Sequence, residues 1–181
     1  GLMNKIRNIF FPIKPSFSGW GIQINHDPPW IHDPNSIFNQ TSSDLKKNFQ
    51  FGVVRSTGID IHNVDSLLWR HWIVSYATKH AMTFCLADEC NFVECGVGDG
   101  MTSFYTLREI NTNSNINKKS KLHLYDSWGP MQKDGLLESE YSSLGRYSEL
   151  ELDSTKKNLK EFENMTIYHK GYIPKIFHKI P

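Results

Sequence analysis

Apolar side chains recur at helical spacing between Asn63 and Met82, at Val64, Leu67, Leu68, Trp72, Ile73, Tyr76, Ala77 and Ala81. A period of 3.6 residues gathers such positions on one face, so the pattern predicts an amphipathic helix with Asn63 or Asp65 as N-cap. The rhythm then changes. Asn91-Phe92-Val93-Glu94-Cys95 is a short apolar run closed by glycines, which predicts a strand, and Met101 to Ile110 reads as helix again. After a polar loop over 111–120, Lys121-Leu122-His123-Leu124-Tyr125-Asp126 alternates into a second strand. A helix near Ser154 to Glu163 and a third strand at Met165 to His169 follow; Gly171-Tyr172-Ile173-Pro174 then opens another helix, with Pro174 in its first turn. Strands alternating with helices predict an α/β domain over 63–181 built on a parallel sheet. Right-handed crossovers bring the C-terminal ends of all three strands to one edge.

Residues 1–62 break this regularity. Five of the eight prolines fall in the first 34 residues, among Phe10, Phe11, Phe17, Trp20 and Trp30, which predicts a largely irregular arm. Aromatics at that density are expected to pack onto a core surface or a partner subunit, or to form a substrate lid. Composition adds little: 20 Lys+Arg against 19 Asp+Glu give +1, with no electrostatic bias toward nucleic acid or a membrane surface. A hydrophobic content of 39% supplies a packed core. The run Ile9-Phe10-Phe11-Pro12-Ile13 is too short for a signal peptide, and no stretch approaches a membrane span, so a soluble cytoplasmic protein is expected. Cys85, Cys90 and Cys95 match no zinc template and are expected to be buried free thiols.

Chemistry concentrates where the first strand ends. In Glu94-Cys95-Gly96-Val97-Gly98-Asp99-Gly100, alternate glycines separate a strand from a helix N-terminus, where a ligand can approach the backbone and meet N–H groups. A dinucleotide fingerprint would want its third glycine at position 101, where Met101 stands; this disfavours a nicotinamide cofactor and leaves it as an alternative. An acidic strand end followed by Gly-x-Gly-x-Gly resembles motif I of S-adenosylmethionine-dependent methyltransferases. Asp126, at the end of the second strand, is placed to accept hydrogen bonds from the two hydroxyls of a ribose held over the glycine turn.

Three blocks in order, Phe92-Val93-Glu94-Cys95-Gly96-Val97, Leu122-His123-Leu124-Tyr125-Asp126-Ser127-Trp128 and His169-Lys170-Gly171-Tyr172-Ile173-Pro174, resemble the macrocin O-methyltransferase family over residues 63 to 181. The resemblance implies the Rossmann-like class I methyltransferase fold and methylation of a hydroxyl on a sugar or another small molecule. It further implies that Glu94 and the turn Gly96, Val97, Gly98 and Gly100 bracket the methionine part of S-adenosylmethionine. Asp126 and the adjoining Ser127 would hold the ribose, Gly171 and Tyr172 would lie near the adenine, and Thr102 and Ser103 would reach the cofactor carboxylate. Asp99 departs from a position often basic in relatives, and Trp128 from a common phenylalanine.

In that family the magnesium-binding aspartates and the base follow the fourth strand, and the chain ends at Pro181 before such a strand would begin. No metal site and no catalytic base are therefore assigned. The repeated pair His26-Asp27 and His32-Asp33 reads as turn chemistry between prolines, and His62 and His71 receive no role. A degenerate cofactor-binding or interaction protein is the principal alternative. The open first-strand edge predicts a homodimer, or the aromatic arm folded over it.

Overall fold

The computed structural model describes residues 16–18, 21–23, 28–49, 64–65, 67–113, 119–134 and 136–177. Two short strands, β1 (Ser16–Ser18) and β2 (Gly21–Gln23), pair antiparallel. A 3-10 turn at Pro29–His32 leads into helix α1 (Ile37–Asn48). The main body follows as α2 (Leu68–Phe84), β3 (Asn91–Cys95), α3 (Met101–Asn113) and β4 (Lys121–Asp126). A 3-10 stretch at Glu138–Ser143, helix α4 (Leu152–Asn158), a 3-10 turn at Lys160–Phe162 and β5 (Thr166–Lys170) complete it.

The sheet is parallel in the order β3-β4-β5, with Phe92, Leu122 and Thr166 in one row and Cys95, Tyr125 and His169 in another. One face carries Phe92, Leu122, Leu124 and Tyr168 against Phe104, Leu107, Ile110, Leu159 and Phe162. Leu124 and Leu107 are fully buried, and each such side chain contributes about 2 kcal/mol of transfer free energy. Val93, Cys95, His123, Tyr125, Ile167 and His169 fall on the opposite face. There Tyr125 stacks on His169 with ring centroids 4.2 Å apart, and the His169 ring lies within hydrogen-bonding distance of His123, 3.0 Å from Nδ1 to Nε2.

Strands β3 and β4 form where the alternation predicts them, and the α/β character with a parallel sheet stands. Four expectations are corrected. The arm is not irregular throughout, because Ser36 caps α1 by accepting the Asn39 N–H at 3.3 Å, and Phe38, Thr41, Ser42 and Leu45 line its buried face. Helix α2 starts after Leu67 without a side-chain cap and turns His71, Ser75, Thr78 and Met82 inward, leaving Ile73 and Tyr76 exposed. Small Ser75 and Thr78 allow α3 to approach closely, and this overrides the apolar stripe.

Cys85 and Cys90 are joined in a disulfide, with Cα atoms 6.7 Å apart, and Cys95 is a free thiol exposed rather than buried. The chain reverses between α2 and β3, a proximity that sequence spacing does not show. Finally, Gly171 to Phe177 forms successive turns in place of a helix, as Tyr172 Oη donates to the Pro130 carbonyl at 2.9 Å and holds the segment across the β4 loop. Residues His26, Asp27 and His62, and the aromatics Phe10, Phe11 and Trp20, lie outside the described residues. Among those described, no helix is long and apolar enough to cross a membrane.

Candidate functional site

Backbone geometry builds the site first. Between β3 and α3 the chain passes through Gly96 (φ 78°), Gly98 (φ 58°) and Gly100 (φ 88°), all in the left-handed region that a side chain disfavours. At Gly100 the constraint is doubled, because an added Cβ would lie 3.0 Å from Leu159 Cδ1 and 3.2 Å from Thr155 Cγ2. Gly100 N–H donates to the Val97 carbonyl at 3.0 Å, closing the turn, and the Phe104 N–H bonds back to the Gly100 carbonyl at the start of α3.

Asp126 reaches this turn from the tip of β4. Its Oδ2 accepts the N–H groups of Val97 at 2.7 Å and Gly98 at 2.9 Å, and its Oδ1 accepts the Trp128 N–H at 2.8 Å. A carboxylate offers about four acceptor positions, so Oδ1 keeps one for a ligand hydroxyl. The parallel register that sets Cys95 beside Tyr125 is what brings Asp126 level with the turn.

Glu94 points to the helix-covered face, where Ser103 Oγ donates to its Oε2 at 2.7 Å. Burial pushes the Glu94 carboxyl up to about 7; the Ser103 bond opposes this and the negative charge of Asp126 adds to it. Two carboxyl groups therefore flank one glycine turn, and Glu94 changes charge near neutrality.

A clamp that the sequence reading missed holds the turn from α4. Trp128 Nε1 donates to the Gly98 carbonyl at 3.2 Å and to Thr155 Oγ1 at 2.9 Å, and Thr155 Oγ1 donates to the same carbonyl at 2.8 Å. Asn158 Nδ2 adds a bond to the Asp99 carbonyl at 3.1 Å. Trp128 is buried and has φ 41°. The tryptophan itself was the signal available in sequence, since its indole carries an N–H donor that needs an acceptor when buried.

The remaining candidate residues fall around this centre. Ser127 Oγ donates to the Gly129 carbonyl at 3.3 Å, and Gly171 N–H donates to the Asp126 carbonyl at 2.9 Å, so the start of the segment after β5 sits beside Asp126. Gly171 has φ 150°, and a Cβ there would run into the Ile176 side chain. Ser103 is fully buried with its hydroxyl committed to Glu94, whereas Thr102 is only half-buried at the start of α3. No group of three or more His, Cys, Asp or Glu suited to a metal ion occurs among the described residues, and His32 and Asp33 are exposed.

Among the described residues, cavities also lie away from the glycine turn. One of about 460 Å³ is walled by Trp30, Trp72, Tyr76 and Glu109 among others, and one of about 400 Å³ surrounds Arg108 between α1 and α4. Arg108 there bonds Asp44 at 3.3 Å and Glu161 at 3.1 Å while lying over the Phe104 and Phe162 rings. No protein-family model matches the sequence, and no curated protein matches it.

Proposed function

We propose that this chain is an S-adenosylmethionine-dependent methyltransferase acting on a hydroxyl of a sugar or another small molecule, with the β3–α3 turn and Asp126 as its nucleoside site. The observation that carries the reading is the meeting of Asp126 with the Val97 and Gly98 amides beside Glu94, at the C-terminal ends of two adjacent parallel strands. Ligands of open α/β sheets bind at such ends. When bound, S-adenosylmethionine would supply a methyl group on a cationic sulfur to a substrate hydroxyl, with S-adenosylhomocysteine leaving and the hydroxyl proton passing to solvent. On this reading Asp126 Oδ1 orients the ribose, Glu94 and the half-buried Thr102 face the amino-acid end, and Gly171 with Tyr172 borders the base. Positioning and exclusion of water by the turn and its α4 clamp then favour transfer.

Calorimetric titration tests this reading with S-adenosylhomocysteine and NADH against the wild-type chain and Asp126→Ala. Binding of S-adenosylhomocysteine that Asp126→Ala removes supports it. NADH binding in its place would transfer the site to a nicotinamide-dependent oxidoreductase, and no binding of either would leave a non-catalytic interaction protein as the reading.

A further inference from the structure

The cavity of about 460 Å³ is bordered by the Pro29–His32 turn, the start of α1, α2 and α3, and its size suits a small molecule. Trp72, Ser75, Tyr76 and Lys79 stand at i, i+3, i+4 and i+7 on α2, so one helix face forms a wall. Trp30 adds a second wall from the 3-10 turn. That turn is tied to α1, because Asn39 Nδ2 donates to the Trp30 carbonyl at 2.7 Å and to the Asp33 carbonyl at 2.8 Å. Aromatic contacts link the two walls: Trp30 meets Trp69 edge-on at 4.9 Å, Trp69 meets Trp72 at 5.9 Å, and Trp72 stacks on Tyr76 at 5.4 Å. These rings are not absorbed by the core, since Trp30 and Trp72 are half-buried and Tyr76 is 61% exposed.

Hydrogen-bonding groups of both kinds border the rings. Glu109 is buried, and its carboxyl accepts from Asn113 at 3.2 Å and from Ser75, which leaves about two of its four acceptor positions. Asp33 adds further acceptors, Lys79 adds donors, and the Asn35 amide supplies both. Two carboxyl groups and one ammonium give no large excess of charge to select an ion. A flat heterocycle would cover the rings and leave most of the polar groups unmatched, whereas an open-chain polyol would do the reverse. A sugar ring satisfies both, because its C–H face covers an aromatic ring while each hydroxyl at its rim donates and accepts. We propose that this cavity is a carbohydrate-binding site that takes a neutral pyranose, its C–H face against the Trp30, Trp72 and Tyr76 rings and its hydroxyls on Asp33, Asn35, Lys79 and Glu109. The site needs no cofactor and does not rest on the methyltransferase reading.

Two-dimensional ¹H–¹⁵N NMR of the full chain without S-adenosylhomocysteine tests it, with glucose, galactose, mannose and N-acetylglucosamine each added to about 50 mM. At least one sugar is expected to give saturable shifts at Trp30, Asn35, Ser75 and Tyr76, with a Kd on the order of 1 mM. Tyr76 and Asp33 are exposed, so Tyr76→Ala and Asp33→Ala should leave thermal unfolding unchanged while each weakens binding about fivefold or more. Tyr76→Phe keeps the ring and should retain binding. No shift with any of the four sugars, shifts at the glycine turn only, or binding indifferent to both alanine variants would overturn the proposal. Adenosine or benzyltrimethylammonium binding in the cavity where no sugar does would overturn it equally, by assigning the rings to a heterocycle or an organic cation.

Discussion

The glycine turn and the α1–α2–α3 interface treat buried polar groups in opposite ways. At the turn, the Val97, Gly98 and Trp128 amides meet the Asp126 carboxylate, and the Gly98 carbonyl accepts from both Trp128 and Thr155. In the helical interface, His71 is fully buried against the Tyr105 ring, centroids 4.5 Å apart, with neither ring nitrogen hydrogen-bonded among the described residues. Burial, with Arg70 adding to it, drives the His71 imidazole down to about 3, so it remains neutral at physiological pH. Tyr105 in the same interface keeps a partner, its hydroxyl lying 2.8 Å from Ser42 Oγ. The contrast teaches where specificity is invested. Strained backbone conformations persist at the turn because side chains from β4, the following loop and α4 over-determine them, whereas the helices are held by apolar packing that tolerates an unpaired imidazole.

Breaking the turn should have the largest effect. Asp126→Ala leaves three amides without their carboxylate, and a loss of about 3 kcal/mol in urea unfolding is expected together with loss of S-adenosylhomocysteine binding. If stability were unchanged, the turn would not depend on Asp126 and the contrast would fail.

Acid–base behaviour separates the two regions next. Glu94 titrates near 7 when folded against an ordinary value of 4.5, so the folded chain binds the extra proton between these values; stability from this group is full below 4.5 and falls as pH rises through about 7. His71 acts in the reverse sense. Its folded value near 3 lies below the ordinary 6.5, so the unfolded chain takes up the proton first and stability falls as pH drops from 6.5 toward 3. Glu94→Gln should remove the loss toward neutral pH by about 2 kcal/mol, and His71→Phe should remove the acid loss, both read from denaturation midpoints across pH.

Smaller effects sharpen the comparison. At pH 7, His71→Phe should be neutral or stabilising by about 1 kcal/mol, because an unpaired polar group is replaced by a ring of similar shape. A loss of that size would mean that the imidazole has a partner in solution. Trp128→Phe keeps the ring but removes the Nε1 donor, and a loss of about 1 kcal/mol in chemical unfolding is expected, since Thr155 still donates to the Gly98 carbonyl.

Much of the sheet was legible because its strands announce themselves by local pattern: Phe92 to Cys95 ends in glycines, and Lys121 to Asp126 alternates. The placement of Glu94 and Asp126 beside the glycine turn was also legible, since Asp126 closes β4 and Glu94 lies one residue before the end of β3. The face of α2 was not, because Ser75, Thr78 and His71 are polar yet buried, and only the approach of α3 decides that. Helix α1 was hidden by the prolines before it. The Cys85–Cys90 bridge and the α4 clamp depend on chain reversals that bring distant residues together, such as Trp128 and Thr155 with Gly98.

The most direct test of the central claim follows backbone amides by two-dimensional ¹H–¹⁵N NMR while S-adenosylhomocysteine is added. The account predicts saturable shifts concentrated at Val97, Gly98, Trp128 and Gly171, with little change along α1. Shifts confined to residues lining the cavity between Trp30 and Tyr76, or none at the turn despite binding, would contradict it.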